Sequence, residues 1–252
     1  MIRLQQVSVC YGAAPVLESL ETTFQSGGFA CLIGPNGSGK STLLRAIAGL
    51  QPYRGSICVD DMEISSMPRA VRAARIAYLP QQRPTPGIPV SALLAHGRFP
   101  HLGFSKTLSD QDRRIVQDAA AQTGVTALLD RDLSSLSGGE RQRAYLAMII
   151  AQDAPLILLD EPATFLDIRY QVELIELLRR LHERGKTILM AAHDLPQAFY
   201  CATELKVLDC GRLIADGTPR QLCDNASIRA AFGVGISIDD NPASLYGYRA
   251  EK

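Results

Sequence analysis

The sequence of 252 residues has no long hydrophobic run, no excess of charge of either sign and no closely paired cysteines. Its longest unbroken apolar run, 144–151, has eight residues, whereas a membrane-spanning helix needs about 20. The first seven residues lack the long apolar stretch of a signal peptide. We therefore expect a chain that stays in the cytosol and does not itself cross a bilayer.

The charge balance also excludes a class of partners. The chain has 26 Lys plus Arg and 26 Asp plus Glu, so its formal net charge is zero. General nucleic-acid binders carry a basic excess, so we expect no nucleic-acid partner. A hydrophobic fraction of 46% and a charged fraction of 21% are typical of a globular protein. This length allows one core with an inserted lobe.

None of the six cysteines belongs to a C-x-x-C pair, so the sequence gives no sign of a zinc or redox motif. Most have apolar neighbours, which predicts small buried side chains in a reducing compartment. The cysteines are Cys10, Cys31, Cys58, Cys201, Cys210 and Cys223.

Continuous apolar segments alternate with segments of helical periodicity. Such strands are typical of a parallel sheet covered on both faces, so the pattern predicts an α/β fold. The segment from about 83 to 152 is mostly helical, and we interpret it as a lobe inserted into this core. Strands are predicted at 2–9, 29–33, 56–59, 75–79, 155–159, 187–192, 204–208 and 212–215. Helices are predicted at 40–48, 90–95, 109–122, 167–182 and 195–201. The helix at 167–182 is expected to be amphipathic and to bury Ile168, Val172, Ile175, Leu178 and Leu181.

A glycine-rich loop separates the strand at 29–33 from the helix at 40–48. It matches G-x-x-x-x-G-K-[ST] in the context that this phosphate-binding motif requires. Glycines let backbone amides converge on phosphate oxygens, and the N-terminus of the helix attracts the same anion. Lys40 is expected to reach the β- and γ-phosphates, and Ser41 to bind Mg²⁺. The loop consists of Gly34, Pro35, Asn36, Gly37, Ser38, Gly39, Lys40, Ser41 and Thr42.

Two carboxylates, Asp160 and Glu161, follow the apolar strand at 155–159. Beside a phosphate loop, the first is expected to hold Mg²⁺ and the second to act as general base toward the attacking water. The sequence has no Asn-Lys-x-Asp motif, which disfavours a GTPase.

A second anion site is predicted at Leu136-Ser137-Gly138-Gly139-Glu140, which precedes a helix. Ser137 and Glu140 have the spacing of a capping box. Two glycines at a helix start are costly unless a close approach is needed. A hydroxyl and exposed amides at a helix N-terminus can bind a phosphate.

This five-residue motif resembles the signature motif of ATP-binding cassette (ABC) ATPases. The family usually has Gln where this chain has Glu140. Over residues 1 to about 220 the chain resembles the family in further motifs, in the family's order. They are Tyr11 as the aromatic that stacks on adenine, Gln81 as the Q-loop glutamine with Gln82 as the alternative register, Phe165-Leu166-Asp167 as the D-loop, and His193 as the switch histidine.

The resemblance implies a fold and a shared site. The fold would be a P-loop NTPase (RecA-like) core with an N-terminal antiparallel β-subdomain and an inserted α-helical subdomain. The chain would be one ABC ATPase domain, with its core at 1–82 and 153–252 and its signature subdomain at 83–152. A second copy would bind head-to-tail, so that each ATP lies between one chain's phosphate loop and the partner's signature residues Ser137, Gly138, Gly139 and Glu140. The implied catalytic residues are Glu161, His193 and Gln81, and the implied Mg²⁺ ligands are Ser41, Gln81 and Asp160.

Two segments narrow the subfamily. Gly97-Arg98-Phe99-Pro100-His101 and Pro162 to Ile168 resemble the ATPases of bacterial importers for ferric siderophores, haem and vitamin B12, although those usually carry Thr in place of Ala163. The first segment favours the siderophore branch. A metal site at His96 and His101 is disfavoured because no third ligand accompanies them.

For an importer ATPase the resemblance also implies partners and a location. Permease subunits would contact residues 82–104, and a periplasmic or lipoprotein substrate-binding protein would take part indirectly. The chain would sit at the cytoplasmic face of the bacterial inner membrane. Haem or vitamin B12 import, a soluble ABC ATPase without a transport role, and a non-catalytic nucleotide-dependent module remain alternatives.

Overall fold

The computed structural model describes residues 1–102, 107–164, 166–223, 225–238 and 246–250, with side chains described up to residue 234. Phe165 of the D-loop and residues 103 and 104 of the expected permease contact lie outside this set. The strands are β1 (Ile2–Tyr11), β2 (Ala14–Phe24), β3 (Phe29–Ile33), β4 (Arg54–Val59), β5 (Met62–Glu63), β6 (Ile76–Leu79), β7 (Leu156–Asp160), β8 (Thr187–Ala191), β9 (Glu204–Asp209), β10 (Arg212–Gly217), β11 (Val234–Ile238) and β12 (Tyr246–Ala250). The helices are α1 (Lys40–Ile47), α2 (Arg69–Arg75), α3 (Val90–His96), α4 (Asp110–Gln122), α5 (Gly138–Gln152), α6 (Ile168–Glu183), α7 (Leu195–Cys201), α8 (Pro219–Leu222) and α9 (Ala226–Phe232).

The chain forms two compact units, and each is described by itself. The first contains residues 1–67, 159–161 and 187–252, and the second contains residues 68–158 and 162–186. Within the parts of the chain that the structure describes, no helix has the length and apolarity needed to span a membrane. The boundaries of the signature subdomain at 83 and 152 stay a prediction.

The first unit contains the phosphate-binding loop and two larger sheets. Its antiparallel sheet has the order β2-β1-β4-β5. In the other sheet, β3 lies between the parallel strands β8 and β9, and β10 pairs with β9 in an antiparallel hairpin. All five residues of β3 are buried, as expected for a strand covered on both faces. The predicted α/β class is confirmed.

Strand β2 was not predicted, and its register explains why. Its buried residues Leu17, Leu20 and Phe24 recur at intervals of three and four, which is the spacing of a helix. The pairing with β1 contains register shifts, and Ser19 has a φ of +48°. Such bulges interrupt the alternation of inward and outward side chains. The period-two signal of a strand is therefore absent from the sequence.

The second unit is mainly helical, with β6 beside the first residues of β7. Helix α4 begins with a capping box between Ser109 and Asp112, as the sequence predicts. Helix α5 likewise has Ser137 as its N-cap, with Glu140 completing the box. Each box satisfies backbone donors that a helix N-terminus leaves without partners.

Two predictions of burial were wrong. In α6, Ile168 is 76% exposed and Val172 is 57% exposed, because the buried face lies around Leu174, Leu178 and Leu181. Of the cysteines, Cys31 and Cys201 are buried, Cys58 and Cys223 are half-buried, and Cys10 and Cys210 are exposed. The two exposed cysteines lie at a strand end and in a turn, where an apolar neighbour does not imply burial.

Candidate nucleotide-binding site

The loop at 34–42 connects β3 to α1, as the motif requires. Its glycines are needed for close packing as well as for access. A Cβ on Gly34 would overlap Leu208 O, and a Cβ on Gly39 would lie 2.5 Å from Leu17 Cδ2. Gly39 is also the N-cap of α1, with a φ of +103°, a conformation that glycine adopts without steric cost.

Lys40 folds back onto the loop. Its Nζ donates hydrogen bonds to Gly34 O at 2.7 Å and to Pro35 O at 3.0 Å, and the residue is only 5% exposed. Burial lowers the pKa of Lys40, and the negative charges of Glu161 and Asp160 partly oppose this effect. A phosphate group is a stronger acceptor for an ammonium than a backbone carbonyl is, so this side chain is poised for an anion at the loop.

Asp160 and Glu161 lie at the C-terminal end of β7, in the same unit as the loop. Asp160 is fully buried and its Oδ1 accepts a hydrogen bond from Ser41 Oγ at 2.8 Å. Glu161 has a φ of +49°, and its backbone N–H donates to Ala191 O at 3.1 Å. A left-handed conformation costs a residue with a side chain about 1–2 kcal/mol and is concentrated at functional sites.

Two more residues expected at the site belong to the first unit. His193 lies two residues after the end of β8, the neighbour of β7 in the sheet, and its side chain is exposed. Glu161 N donates to Ala191 O, and Ala191 is the last residue of β8, so Glu161 and His193 both lie close to the C-terminal end of that strand. Tyr11 ends β1 and is 45% exposed.

The second unit carries the remaining expected residues. Gln81 and Gln82 follow β6 and are both exposed. Asp167 is the N-cap of α6, and its side chain accepts a hydrogen bond from Tyr170 N at 3.0 Å. Ser137 is exposed, and its backbone N–H and hydroxyl donate to Glu140 Oε2 at 2.9 and 2.8 Å. The backbone N–H and hydroxyl of Ser137 lower the pKa of Glu140.

The segment Gly97–His101 has a structural role that sequence reasoning missed. A Cβ on Gly97 would overlap Met148 O in α5. Arg98 is buried and donates from Nε to Asp112 Oδ1 at 2.9 Å and from Nη1 to Ala151 O at 2.8 Å. The contacts join α4 to the end of α5. Residues this distant in sequence give no local signal of such pairing.

The two histidines considered as metal ligands have other contacts. The His96 ring centroid lies 4.7 Å from that of Phe99, and His101 Nε2 lies 2.8 Å from Gln152 O.

The phosphate loop connects a buried parallel strand to a helix, and a carboxylate at a strand end accepts a hydrogen bond from the loop serine. Together these two features define a P-loop nucleoside triphosphatase. The family model described as "ABC transporter" matches residues 17–164. The chain belongs to the ABC transporter family and is an ATP-binding, ATP-hydrolysing cassette.

Several relatives are similar to the chain over nearly its whole length. The ferric enterobactin transport ATP-binding protein FepC of Escherichia coli (strain K12) is 39% identical over 96% of this chain and 91% of its own length. The iron(3+)-hydroxamate import ATP-binding protein FhuC of Bacillus subtilis (strain 168) is 36% identical over 94% of this chain and 90% of its own length. The cobalamin import ATP-binding protein BtuD of Halobacterium salinarum (strain ATCC 29341 / DSM 671 / R1) is 37% identical over 91% of this chain and 58% of its own length.

Solved structures support the fold. The ATP-binding cassette MJ1267 in its ADP conformation has a TM-score of 0.81 at 20% identity, covering 92% of this chain and 98% of that one. The cassette MJ0796, dimeric and bound to ADP and Pi, has a TM-score of 0.78 at 25% identity, covering 87% and 99%. The predicted P-loop fold is confirmed.

Proposed function

We propose that this chain is the ATPase subunit that energises a bacterial importer of ferric siderophores. The proposal rests on one observation above the others. Relatives named for ferric enterobactin, petrobactin and iron(3+)-hydroxamate transport are 36–39% identical to the chain over 94–98% of its length. The match also covers 90–91% of the length of these relatives, which supports an activity in common with them.

Residues of the first unit would hold ATP and its metal ion. Backbone amides of residues 34–42 and Lys40 would bind the phosphates, and Tyr11 would stack on adenine. A hydroxyl and a carboxylate, Ser41 and Asp160, already lie 2.8 Å apart, and oxygen donors of this kind are the ligands that Mg²⁺ prefers. Gln81, which belongs to the second unit, would be a further Mg²⁺ ligand, as the family resemblance implies. When bound, Mg²⁺ neutralises charge on the β- and γ-phosphates.

Hydrolysis needs a base for the attacking water, and Glu161 is the residue we assign. It directly follows Asp160, the proposed Mg²⁺ ligand, and its φ of +49° is a left-handed conformation of the kind that is concentrated at functional sites. Its carboxylate would accept a proton from water as the water attacks the γ-phosphate. His193 would contact the γ-phosphate from the adjacent strand end.

A second copy of the chain would complete each site. Ser137, Gly138 and Gly139 form the N-terminus of α5, where the Ser137 side chain is exposed. This N-terminus would bind the γ-phosphate of ATP held by the partner's phosphate loop, with Asp167 at the boundary between copies. The signature subdomain at 83–152 would carry this contact. ATP would then favour the closed dimer because it binds that state more tightly.

The membrane partners are permease subunits, which would contact residues 82–104. A periplasmic or lipoprotein substrate-binding protein would deliver the substrate to the permease. The chain would thus be held at the cytoplasmic face of the inner membrane by protein contacts, which fits its zero net charge. A permease and a substrate-binding protein encoded beside this chain would support the assignment.

Substrate uptake tests the import class. The chain is expressed in cells that lack it, and uptake of a radiolabelled ferric siderophore is compared with uptake of radiolabelled cobalamin. We expect restored siderophore uptake. Cobalamin import is the second candidate, since BtuD is 37% identical to the chain. Restored cobalamin uptake alone would favour this alternative.

A further inference from the structure

The turn between β9 and β10 lies directly behind the phosphate loop. The backbone N–H of Gly211 donates a hydrogen bond to Ser38 O at 3.2 Å. At the start of the loop, Gly34 lies so close to Leu208 O that a Cβ would overlap it. The loop therefore contacts the β9–β10 hairpin at two points along its length.

The same turn also contacts β2. Gly211 O accepts a hydrogen bond from Glu18 N at 3.0 Å. A Cβ on Gly211 would overlap Val16 O and lie 3.0 Å from Val16 C, and the residue has a φ of +76°. Next to it, Arg212 donates to Glu18 Oε2 from Nη2 at 2.7 Å and from Nε at 3.0 Å.

Strand β2 also contacts the phosphate loop. A Cβ added to Gly39 would lie 2.5 Å from Leu17 Cδ2 and 3.2 Å from Val16 O. The phosphate loop, β2 and the turn thus contact one another in pairs. We propose that Gly211 is a positioning residue for ATP binding, since it allows the turn to fit between β2 and the loop and so fixes the amides that bind phosphate. The proposal rests on ATP binding at the loop.

Alanine at this position tests the proposal, with Gly27→Ala as the matched control. Gly27 belongs to the same unit and has a φ of +69°, but nothing lies within 4 Å of an added Cβ. Both variants bear the cost of a left-handed alanine, and only Gly211→Ala displaces the turn. We expect the KM for ATP to rise about tenfold in Gly211→Ala, with kcat within about threefold of wild type. The control is expected to keep the wild-type KM.

A second variant decides the matter if Gly211→Ala does not fold. Arg212→Ala removes only the exposed ion pair with Glu18, so it is expected to fold. Hydrogen exchange of the peptide covering 34–42 should become about threefold faster, because the turn is held less firmly. Arg169→Ala is the control, since it removes a comparably exposed ion pair, with Glu173, from the other unit.

The outcomes separate this proposal from the proposed function. A folded Gly211→Ala chain with the wild-type KM would overturn the role of Gly211, as would unchanged loop exchange in Arg212→Ala. Either result would leave ATP hydrolysis by the wild-type chain intact. A wild-type chain that does not hydrolyse ATP would instead contradict the proposed function.

Discussion

Ser41 Oγ donates a hydrogen bond to Asp160 Oδ1 at 2.8 Å, although 119 positions separate the two residues in the chain. The bond joins the first turn of α1 to the end of β7. Asp160 is fully buried, and an ionised buried carboxylate needs partners or a cation. This pair is therefore the part of the site where a divalent cation is expected to bind.

Asp160→Asn tests the expected Mg²⁺ site. The amide keeps the shape and an acceptor oxygen but removes the negative charge, so Mg²⁺ binding weakens. We expect the Mg²⁺ concentration for half-maximal ATPase activity to rise about tenfold and kcat to fall about 100-fold. The exposed Asp118 supplies the control, since Asp118→Asn should change neither quantity. An unchanged Mg²⁺ requirement in Asp160→Asn would show that Asp160 does not hold the ion.

Glu140→Gln tests whether this departure from the family pattern affects the shared site. Glu140 Oε2 accepts a hydrogen bond from Ser137 Oγ at 2.8 Å, and the lowered pKa of Glu140 keeps this carboxylate negatively charged. That charge repels a phosphate placed at Ser137. A glutamine oxygen can still accept both capping bonds, so the helix should be preserved. We expect the KM for ATP to fall about threefold and the ATP-bound dimer to gain population in size-exclusion chromatography. A higher KM would contradict this account of Glu140.

The stability of the chain in acid should depend on Asp112. Hydrogen bonds from the Ser109 hydroxyl and from Arg98 lower the pKa of Asp112 to about 2. A carboxyl with a lowered pKa stabilises the fold above its unfolded-state value, near 4, and loses this contribution as pH falls toward 2. We expect Asp112→Asn to lower the free energy of unfolding at pH 7 by about 3 kcal/mol, because it leaves Arg98 buried without its counter-charge.

Urea unfolding at several pH values measures this difference. The gap between wild type and Asp112→Asn should be constant from pH 7 to pH 5 and should narrow below pH 4. Asp118→Asn should track the wild type throughout. A gap that stays constant down to pH 2 would assign the effect to packing rather than to charge.

Gly97→Ala tests the close approach between α3 and α5. Gly97 has an ordinary helical φ of −56°, so alanine brings no backbone strain. Its Cβ would overlap Met148 O and lie 3.0 Å from Gln152 N. We expect a loss of about 2 kcal/mol in the free energy of unfolding. Gly87→Ala, whose Cβ would lie 3.6 Å from Asp132 Oδ2, should cost much less. Equal losses in the two variants would exclude the overlap as the cause.

The sequence predicted most of the core fold because its strands are short, apolar and bounded by clear turns. Strands β3, β7 and β8 and the helices that follow the motifs lie within one or two residues of their predicted positions. Strand β2 could not be predicted because bulges give its buried residues a helical spacing. The burial of Ile168 and Val172 was predicted wrongly because spacing alone does not show which face of α6 is covered.

For the candidate site too, some residues could be predicted from the sequence and others could not. Residues within local motifs, such as Lys40 and Glu161, could be found from the sequence because a short pattern carries their chemistry. Residues that pack these elements together through contacts distant in sequence could not be found in this way. Arg98 reaches Asp112 and Ala151 across 14 and 53 positions, and Gly211 contacts Ser38 because β9 lies next to β3 in the sheet, although the two residues are far apart in sequence. Such contacts depend on the topology of the fold, which no short pattern encodes.

If ATP hydrolysis with Glu161 as the base drives import, substrate uptake should be lost in the Glu161→Gln variant. The variant keeps the side-chain shape but removes the base, so turnover should fall at least about 100-fold while ATP affinity stays within about threefold of wild type. In cells that lack the chain, we expect wild type to restore uptake of a radiolabelled ferric siderophore and Glu161→Gln, expressed to the same level, to restore none. Uptake at the wild-type rate with Glu161→Gln would show that import does not depend on ATP hydrolysis by Glu161.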